Sequence, residues 1–266
     1  MAVHADCYAS IGVTHAICQD YALVDRRAGQ AAVFLSDGCS SSPATDFGAR
    51  FLTLAASVGP RLADAESAVA VVAAAWRMAQ AAGLPQTCLD ATLLGAVQAG
   101  DELRAFAYGD GVIAARRRDG VIEHVVIECP HGAPDYPSYL LDAPRMSAYL
   151  AQTGGQKVVT CFEGGRQTAR RQAPCFEPIA LCFALATHDL VAVCSDGVRS
   201  FQRPSGTTLE AVPEEEVLGH ALAIRSASGA FVVRRIRNGF LGRHCVAAGW
   251  KHSDDFSMGA LSAGEP

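Results

Sequence analysis

Charge is scarce in this sequence, and a basic excess is absent. Charged residues make up 18% of the 266 residues, and the formal net charge is −5 at pH 7. A protein that binds a nucleic acid backbone neutralises several phosphates with a basic surface, and this composition offers none. We therefore expect no nucleic acid partner.

Long apolar runs and paired cysteines are also missing. No stretch approaches the ~20 apolar residues of a membrane-spanning helix, and the first residues lack a basic segment followed by an apolar run. The 10 cysteines occur singly, without a C-x-x-C pair, which does not favour a disulfide framework. These absences predict a soluble, cytoplasmic protein without membrane contact.

Apolar residues are plentiful, at 50% of the chain. This is enough for one large core and differs from the composition of disordered chains. We predict one compact domain over residues 1–266. Residues 129–177 stand apart within it, because five prolines, scattered glycines and weak periodicity indicate a flap-like segment of loops around short elements.

Two helices are predicted in the first third of the chain. The first begins at Thr45 or Asp46, either of which can act as its N-cap. Its predicted apolar face consists of Phe47, Phe51, Leu54 and Ala55. The second runs from about Asp64 to Ala82 and is so rich in alanine and valine that we expect it to be buried on two sides.

Strand periodicity follows these helices and returns near the end of the chain. Four predicted strands are separated by Gly-Asp and Asp-Gly turns, as in an antiparallel meander, and cover residues 91–97, 103–108, 112–116 and 121–127. Two more strands, a second pair of helices and a last strand follow residue 177. Strands in runs with helices in pairs predict an α+β fold of antiparallel sheets covered by helices.

Aspartates stand at the end or the start of three predicted strands, the first of which covers residues 31–35. Asp37 and Asp196 each follow an apolar strand in a Ser-Asp-Gly triplet, and Asp254 with Asp255 begins the last strand. Carboxylate ligands without histidine or cysteine spacing suit Mg²⁺ or Mn²⁺ rather than zinc. Two such ions can hold a phosphoryl oxygen and activate water, which indicates phosphoester hydrolysis. Each Asp-Gly pair alone is also typical of an ordinary turn.

Six pieces of the chain occur in the order of a known family. They are Cys18–Ala22, Val33–Gly38, Ala91–Leu94, Tyr108–Gly111, Val193–Val198 and Asp254–Ser257. Together they resemble the PP2C (PPM) family of metal-dependent serine/threonine protein phosphatases, especially its bacterial members. The resemblance implies a four-layer sandwich of two antiparallel β-sheets flanked by helix pairs. It also implies a phosphoprotein substrate whose phosphoserine or phosphothreonine is hydrolysed by a water activated between two Mn²⁺ or Mg²⁺ ions.

The resemblance also implies a set of metal ligands. Asp37 would bridge the two ions, the carbonyl of Gly38 would bind the first, and Asp196 and Asp254 would bind the second. Asp255 stays open as the alternative to Asp254.

Two further aspartates have smaller roles by the same resemblance. Asp20 would hold waters on the ions and, with Asp37, belongs to the expected catalytic residues. Asp110 would join Asp196 in binding a third, weaker ion.

Two positions depart from the family pattern. His15 stands where eukaryotic members have a phosphate-binding arginine, and Cys39 stands where they have a proposed general-acid histidine. His15 is a candidate catalytic residue that would bind phosphate, donate a proton or hydrogen-bond Asp20 or Asp37, and the sequence does not choose among these roles. Cys39 is expected to pack, because nearby carboxylates raise the pKa of a thiol.

Two other functions fit the same residues. One is a regulatory or binding module with little turnover, against which the retained carboxylates count. The other is a phosphatase of small phosphoesters, and we expect the flap-like segment 129–177 to decide between small and protein substrates. We expect a monomer in either case.

Overall fold

Two large antiparallel sheets dominate the computed structural model, which describes residues 2–25, 30–58 and 65–263. One sheet has seven strands in the order β1-β15-β11-β6-β7-β8-β9, and the other has five in the order β10-β5-β4-β3-β2. A small sheet has the order β13-β12-β14. The strands are β1 Val3–Ser10, β2 Tyr21–Asp25, β3 Ala32–Ser36, β4 Leu93–Ala99, β5 Glu102–Tyr108, β6 Gly111–Arg117, β7 Ile122–Glu128, β8 Gln156–Glu163, β9 Arg166–Pro174, β10 Ile179–Ala184, β11 His188–Cys194, β12 Phe201–Ser205, β13 Thr208–Ala211, β14 Lys251–His252 and β15 Phe256–Ala263.

Helices accompany the sheets, and two pairs of them cover the outer faces of the large sheets. They are α1 Thr45–Val58, α2 Ala65–Ala81, α3 Ala143–Thr153, α4 Glu214–Ala221 and α5, a continuous run of Phe231–Val233, Arg234–Cys245 and Val246–Ala248 whose middle part is a π-helix. Helices α1 and α2 share an apolar core with the five-stranded sheet. Helices α4 and α5 share another with the seven-stranded sheet.

A third apolar layer lies between the two sheets. Val33 and Leu35 of β3 and Leu94 of β4 pack there against Val191 of β11 and Leu261 of β15. Fully buried strands of this kind lack polar residues on either face, which is why their sequences appear as continuous apolar runs. The predicted α+β sandwich of two antiparallel sheets flanked by helices is confirmed.

The buried face of α1 agrees with the prediction at Ala55, which is buried, and at Phe51, which packs against the core, and it differs at two positions. Phe47 is 49% exposed and Leu54 is 40% exposed. The helix packs instead through its small residues, among them Gly48 and Ala49. A Cβ atom at position 48 would lie 1.6 Å from the carbonyl oxygen of Cys88. Because this close approach needs glycine, the face with the small residues is turned inward and the larger Phe47 remains outside.

Residues 129–177 contain more regular structure than their sequence predicts. They form α3 and the hairpin of β8 and β9, which pairs with β7 and extends the seven-stranded sheet. Seven consecutive residues of β9, from Arg166 to Gln172, are exposed at the sheet edge. A strand without a buried face shows no apolar alternation, which explains why the pattern was missed.

The predicted strands lie within a few residues of the observed ones, whereas the last helix, predicted to end near Phe240, continues to Ala248. Helix α2 ends at Ala81, close to the predicted end, whereas its predicted first residue, Asp64, falls outside the described residues. No described helix combines the length and the apolar character needed to cross a bilayer.

Candidate metal centre

Four of the predicted aspartates meet at one edge of the sandwich. Asp37 follows β3 and Asp196 follows β11, so the two come from different sheets. Asp110 lies in the turn between β5 and β6, and Asp254 lies just before β15. All four line one cavity of about 230 Å³, together with Gly38. Residues far apart in sequence therefore form a single carboxylate-lined site.

The backbone around Gly38 is held in place by a β-bridge to Ala91. The N–H of Thr92 donates to the carbonyl of Asp37 at 2.8 Å, and the Thr92 hydroxyl accepts from the Asp37 N–H at 3.1 Å. This pairing does not use the carbonyl of Gly38. A Cβ atom at position 38 would lie 2.8 Å from Cβ of Thr45, so glycine is required at this point.

Asp110 is placed by two glycines with left-handed backbone conformations. Gly109 has φ of 88° and Gly111 has φ of 133°, values that favour glycine. Burial and the neighbouring charge of Asp196 raise the pKa of Asp110 to about 8. A carboxyl group so perturbed by its surroundings is typical of a functional site.

Asp20 lies behind the cavity and is not among the residues that line it. Its Oδ2 accepts a hydrogen bond of 2.8 Å from the hydroxyl of Ser195, which in turn accepts one of 3.0 Å from the N–H of Ser257. Its Oδ1 is buried without a hydrogen-bond partner. Burial raises the pKa of Asp20 to about 7, in spite of the hydrogen bond from Ser195.

The adjacent Asp254 and Asp255 have different surroundings. Asp255 is buried, and its two oxygens accept hydrogen bonds from the N–H groups of Gly12 at 2.7 Å and Gln19 at 2.6 Å. Asp254 is half-exposed and lines the cavity. Burial and the charge of Asp196 raise its pKa. Both oxygens of Asp255 accept backbone hydrogen bonds and Asp255 does not line the cavity, whereas Asp254 does.

His15 lies beside these two carboxylates and not beside Asp20 or Asp37. Its Nδ1 is 3.1 Å from Oδ1 of Asp255, and its Nε2 is 3.4 Å from Oδ1 of Asp254. The ring is not aligned for a hydrogen bond through Nδ1. Of the roles left open for His15, a hydrogen bond to Asp20 or Asp37 is therefore not formed, and the imidazole lines the cavity.

Cys39 also lines the cavity, and its surroundings differ from those expected. Its sulfur lies 3.0 Å from the hydroxyl oxygen of Ser41. Burial alone would raise the pKa of this thiol, but hydrogen bonds from Ser41 and Tyr136 outweigh burial and lower it. The expectation of a raised pKa is wrong because hydroxyl donors, and not carboxylates, are its direct neighbours.

Tyr136 is a cavity residue that the sequence did not indicate. It is buried, comes from the segment after β7 and stacks edge-on against Tyr139 at 5.8 Å between ring centroids. Burial and its hydrogen bond to Cys39 raise the pKa of its hydroxyl. Residue spacing carries no signal for such a contact, since it depends on how the segment folds back over the cavity.

The carboxylates around the cavity form an environment that favours bound cations. Burial and the charges of Asp20 and Asp196 raise the pKa of Asp37 well above its ordinary value. Oδ1 of Asp196, like Oδ1 of Asp20, is buried without a hydrogen-bond partner. Carboxylates that repel one another and have free oxygens fit hard divalent ions such as Mn²⁺ and Mg²⁺.

The protein side chains alone do not complete a coordination sphere. Among the described residues, no three His, Cys, Asp or Glu side chains already form a metal site of their own. Hard ions commonly add backbone carbonyls and waters to a few carboxylates. Asp254 is half-exposed at the cavity, and the carbonyl of Gly38 is not used by the β-bridge, so both suit that kind of site.

Comparison with protein families identifies the first part of the chain. Residues 11–134 match the family model described as protein phosphatase 2C. This part of the chain is similar to the PP2C family. The match includes the segments of Asp20, Asp37 and Asp110 and contains the first four of the six motifs, and it confirms the resemblance to this family. No curated protein matches the chain significantly.

Solved structures of PP2C-type phosphatases share the fold over nearly the whole chain. The Mycobacterium tuberculosis phosphatase PstP/Ppp has a TM-score of 0.55 at 16% identity, with 100% of both chains covered. The catalytic domain of PstP in complex with 2 manganese ions has a TM-score of 0.56 at 18% identity, with 99% of each chain covered. PppA of Pseudomonas aeruginosa, a key regulatory component of T6SS, has a TM-score of 0.52 at 17% identity and covers 99% of this chain and 98% of its own.

Proposed function

We propose that this protein hydrolyses phosphoserine and phosphothreonine in proteins, with Mn²⁺ or Mg²⁺ at the carboxylate-lined cavity. The observation that carries the proposal is the convergence of Asp37, Asp110, Asp196 and Asp254 on one cavity. The PP2C match of residues 11–134 supports the activity, and the manganese-bound PstP domain of the same fold supports the cofactor.

In this proposal Asp37, the Gly38 carbonyl, Asp196 and Asp254 hold two ions, and Asp110 with Asp196 holds a weaker third. The ions, when bound, supply Lewis-acid activation of water and neutralise phosphoryl charge. Asp20 lies behind Asp37 and offers the free Oδ1 to a water in the site. Ser195 keeps Asp20 in position through its hydroxyl.

Few cationic side chains are available in this site to contact the phosphoryl group of a substrate. Among the described residues that line the cavity, His15 is the one basic side chain. Its place beside Asp254 and Asp255 favours a role in orienting Asp254.

An activity assay with two substrates tests the proposal. With Mn²⁺ present, the protein should release phosphate from para-nitrophenyl phosphate and from a phosphothreonine peptide. Asp37→Asn and Asp196→Asn should each lower kcat by about 100-fold or more, since a preorganised electrostatic group typically contributes that much. Asp119→Asn is the matched control, because Asp119 is also followed by glycine but lies in the exposed turn between β6 and β7.

Two outcomes would contradict the proposal. Full activity in either cavity variant would exclude a mechanism that depends on these carboxylates. Mn²⁺ binding by isothermal titration without turnover of either substrate would support the alternative of a binding module.

The proposal extends to a monomer that acts on cytoplasmic phosphoproteins. The cysteines support the cytoplasmic location, because all ten are free thiols. Free thiols are typical of proteins in a reducing compartment. Sedimentation velocity would test the monomer directly.

A further inference from the structure

A second, larger groove adjoins the metal cavity. It has a volume of about 550 Å³ and runs between the loop that connects β1 to β2 and the first turn of α1. His15 lines both the groove and the cavity. The two spaces therefore adjoin at His15, so a substrate chain bound at the cavity can extend towards the groove on the other side of this side chain.

The walls of this groove are apolar and exposed. Ile17 of the loop is 62% exposed, and Phe47 of α1 stands opposite it in the lining. Ile11 and Val13, in the same loop, are also exposed large apolar side chains. Single exposed apolar residues are ordinary on protein surfaces, whereas a cluster beside a catalytic site indicates a binding surface.

The two walls are fixed relative to each other and to the metal site. Asp255 accepts hydrogen bonds from Gly12 and Gln19 near the two ends of the loop. The side-chain amide of Gln19 donates to the hydroxyl of Thr45, the first residue of α1, at 2.6 Å. A groove held in this way is preformed, which lowers the entropic cost of binding a flexible chain.

We propose that this groove binds an apolar side chain of the phosphoprotein substrate, located within a few residues of the phosphorylated one. The inference rests on the proposed function and names its substrate class. An extended chain advances about 3.3 Å per residue, so two or three residues suffice to pass His15. Asp46, which also lines the groove, disfavours acidic flanking residues by charge repulsion. If the substrates were small phosphoesters, no part of the substrate would occupy the groove.

Two matched phosphopeptides test this inference. Within a pair, the peptides share one sequence around a phosphothreonine and differ only in having leucine or serine three residues from it. One pair varies the residue on the N-terminal side of the phosphothreonine, and a second pair varies the residue on the C-terminal side. For the protein with Mn²⁺, kcat/KM should be about 10-fold higher for the leucine peptide of one pair, as expected for an apolar group in a matching pocket.

The double variant Ile17→Ser/Phe47→Ser should bring that ratio close to one. Its kcat/KM for para-nitrophenyl phosphate, which has no flanking chain, should stay within about twofold of the parent value. The matched control is Val246→Ser, which removes an exposed valine at the far end of α5 and should leave the peptide ratio unchanged.

The outcomes separate this inference from the proposed function. No turnover of para-nitrophenyl phosphate by the parent protein would defeat the function itself, and the binding of the two peptides, followed by fluorescence anisotropy, would then decide on the groove. Equal values for both peptides in every pair would overturn the inference. So would a dimer that the double variant dissociates, because the groove would then belong to a second copy of the chain.

Discussion

Two neighbouring aspartates at this site have different surroundings. Asp254 and Asp255 are indistinguishable in sequence, and the family pattern leaves either as the ligand. The structure separates them by their hydrogen bonds, since both oxygens of Asp255 are taken by backbone N–H groups while Asp254 faces the cavity. Such a distinction depends on the fold of a loop more than 230 residues away in sequence, with separations of 243 and 236 residues.

Replacing each aspartate with asparagine should give opposite effects. Asp255→Asn leaves one amide group facing a backbone N–H donor and should destabilise the protein by about 1–3 kcal/mol. Asp254→Asn removes a repelled, half-exposed charge and should leave stability unchanged or slightly higher without metal, while it weakens Mn²⁺ binding by about 10-fold or more. Urea unfolding and isothermal titration measure the two quantities. Weaker Mn²⁺ binding in Asp255→Asn alone would reverse the assignment.

The elements that carry the site were predictable to different degrees. The strands before Asp37 and Asp196 could be predicted because fully buried strands have continuous apolar sequences that end at turns. The exposure of Phe47 and Leu54 on α1 could not be predicted, because the orientation of this helix depends on the contact of Gly48 with Cys88 and not on the size of its apolar residues. The hairpin of β8 and β9 could not either, because its edge strand has no buried face.

A buried ion pair holds the loop that forms one wall of the cavity. Asp135 and Lys157 are both fully buried, with Oδ2 of Asp135 accepting from Nζ of Lys157 at 2.9 Å. Asp135 also accepts from the N–H of Phe176, and Lys157 donates to the carbonyl of Glu177. The pair thus joins three parts of residues 129–177, next to the cavity residue Tyr136.

Breaking this pair should affect both stability and substrate binding. Asp135→Asn leaves the Lys157 charge buried without its partner and should cost about 3–5 kcal/mol in urea unfolding. Since Tyr136 is the next residue, KM for para-nitrophenyl phosphate should also rise. The double variant Asp135→Asn/Lys157→Met removes the uncompensated charge and should recover part of the stability. A double variant less stable than Asp135→Asn would show that the charge of Lys157 has another partner.

At the scale of the whole molecule, the sandwich brings several carboxylates together without an equal number of cations. The two sheets supply them from opposite sides, so the repulsion acts across the interface that defines the fold. Asp20 and Asp110 have pKa values raised to about 7 and about 8 from an ordinary 3.8, with burial as the main cause. The folded state without metal therefore keeps protons that the unfolded chain has already released at neutral pH.

This difference sets the direction in which pH changes the stability of the metal-free protein. Where the folded state binds more protons, the free energy of unfolding falls as pH rises. The buried His124 acts in the opposite direction, because burial lowers its pKa to about 4 and the unfolded chain binds its proton below pH 6.5. The window from pH 6.5 to 8 lies above most of that range. The buried thiols of Cys7, Cys18 and Cys194, whose pKa values burial raises to about 12, act there in the same direction as the carboxylates.

In that window, the melting temperature in EDTA should fall as pH rises, by roughly 2–4 °C for each 1 kcal/mol lost in a chain of this size. Mn²⁺ competes with these protons for the same oxygens, so it should stabilise the protein more at pH 8 than at pH 6.5. Differential scanning fluorimetry at both pH values, with EDTA and with Mn²⁺, measures each effect. Asp110→Asn should flatten the pH dependence in EDTA, because it removes a carboxyl that titrates within the window. A melting temperature in EDTA that rises between pH 6.5 and 8 would mean that the cluster is neutralised by groups of the protein itself and does not depend on metal ions.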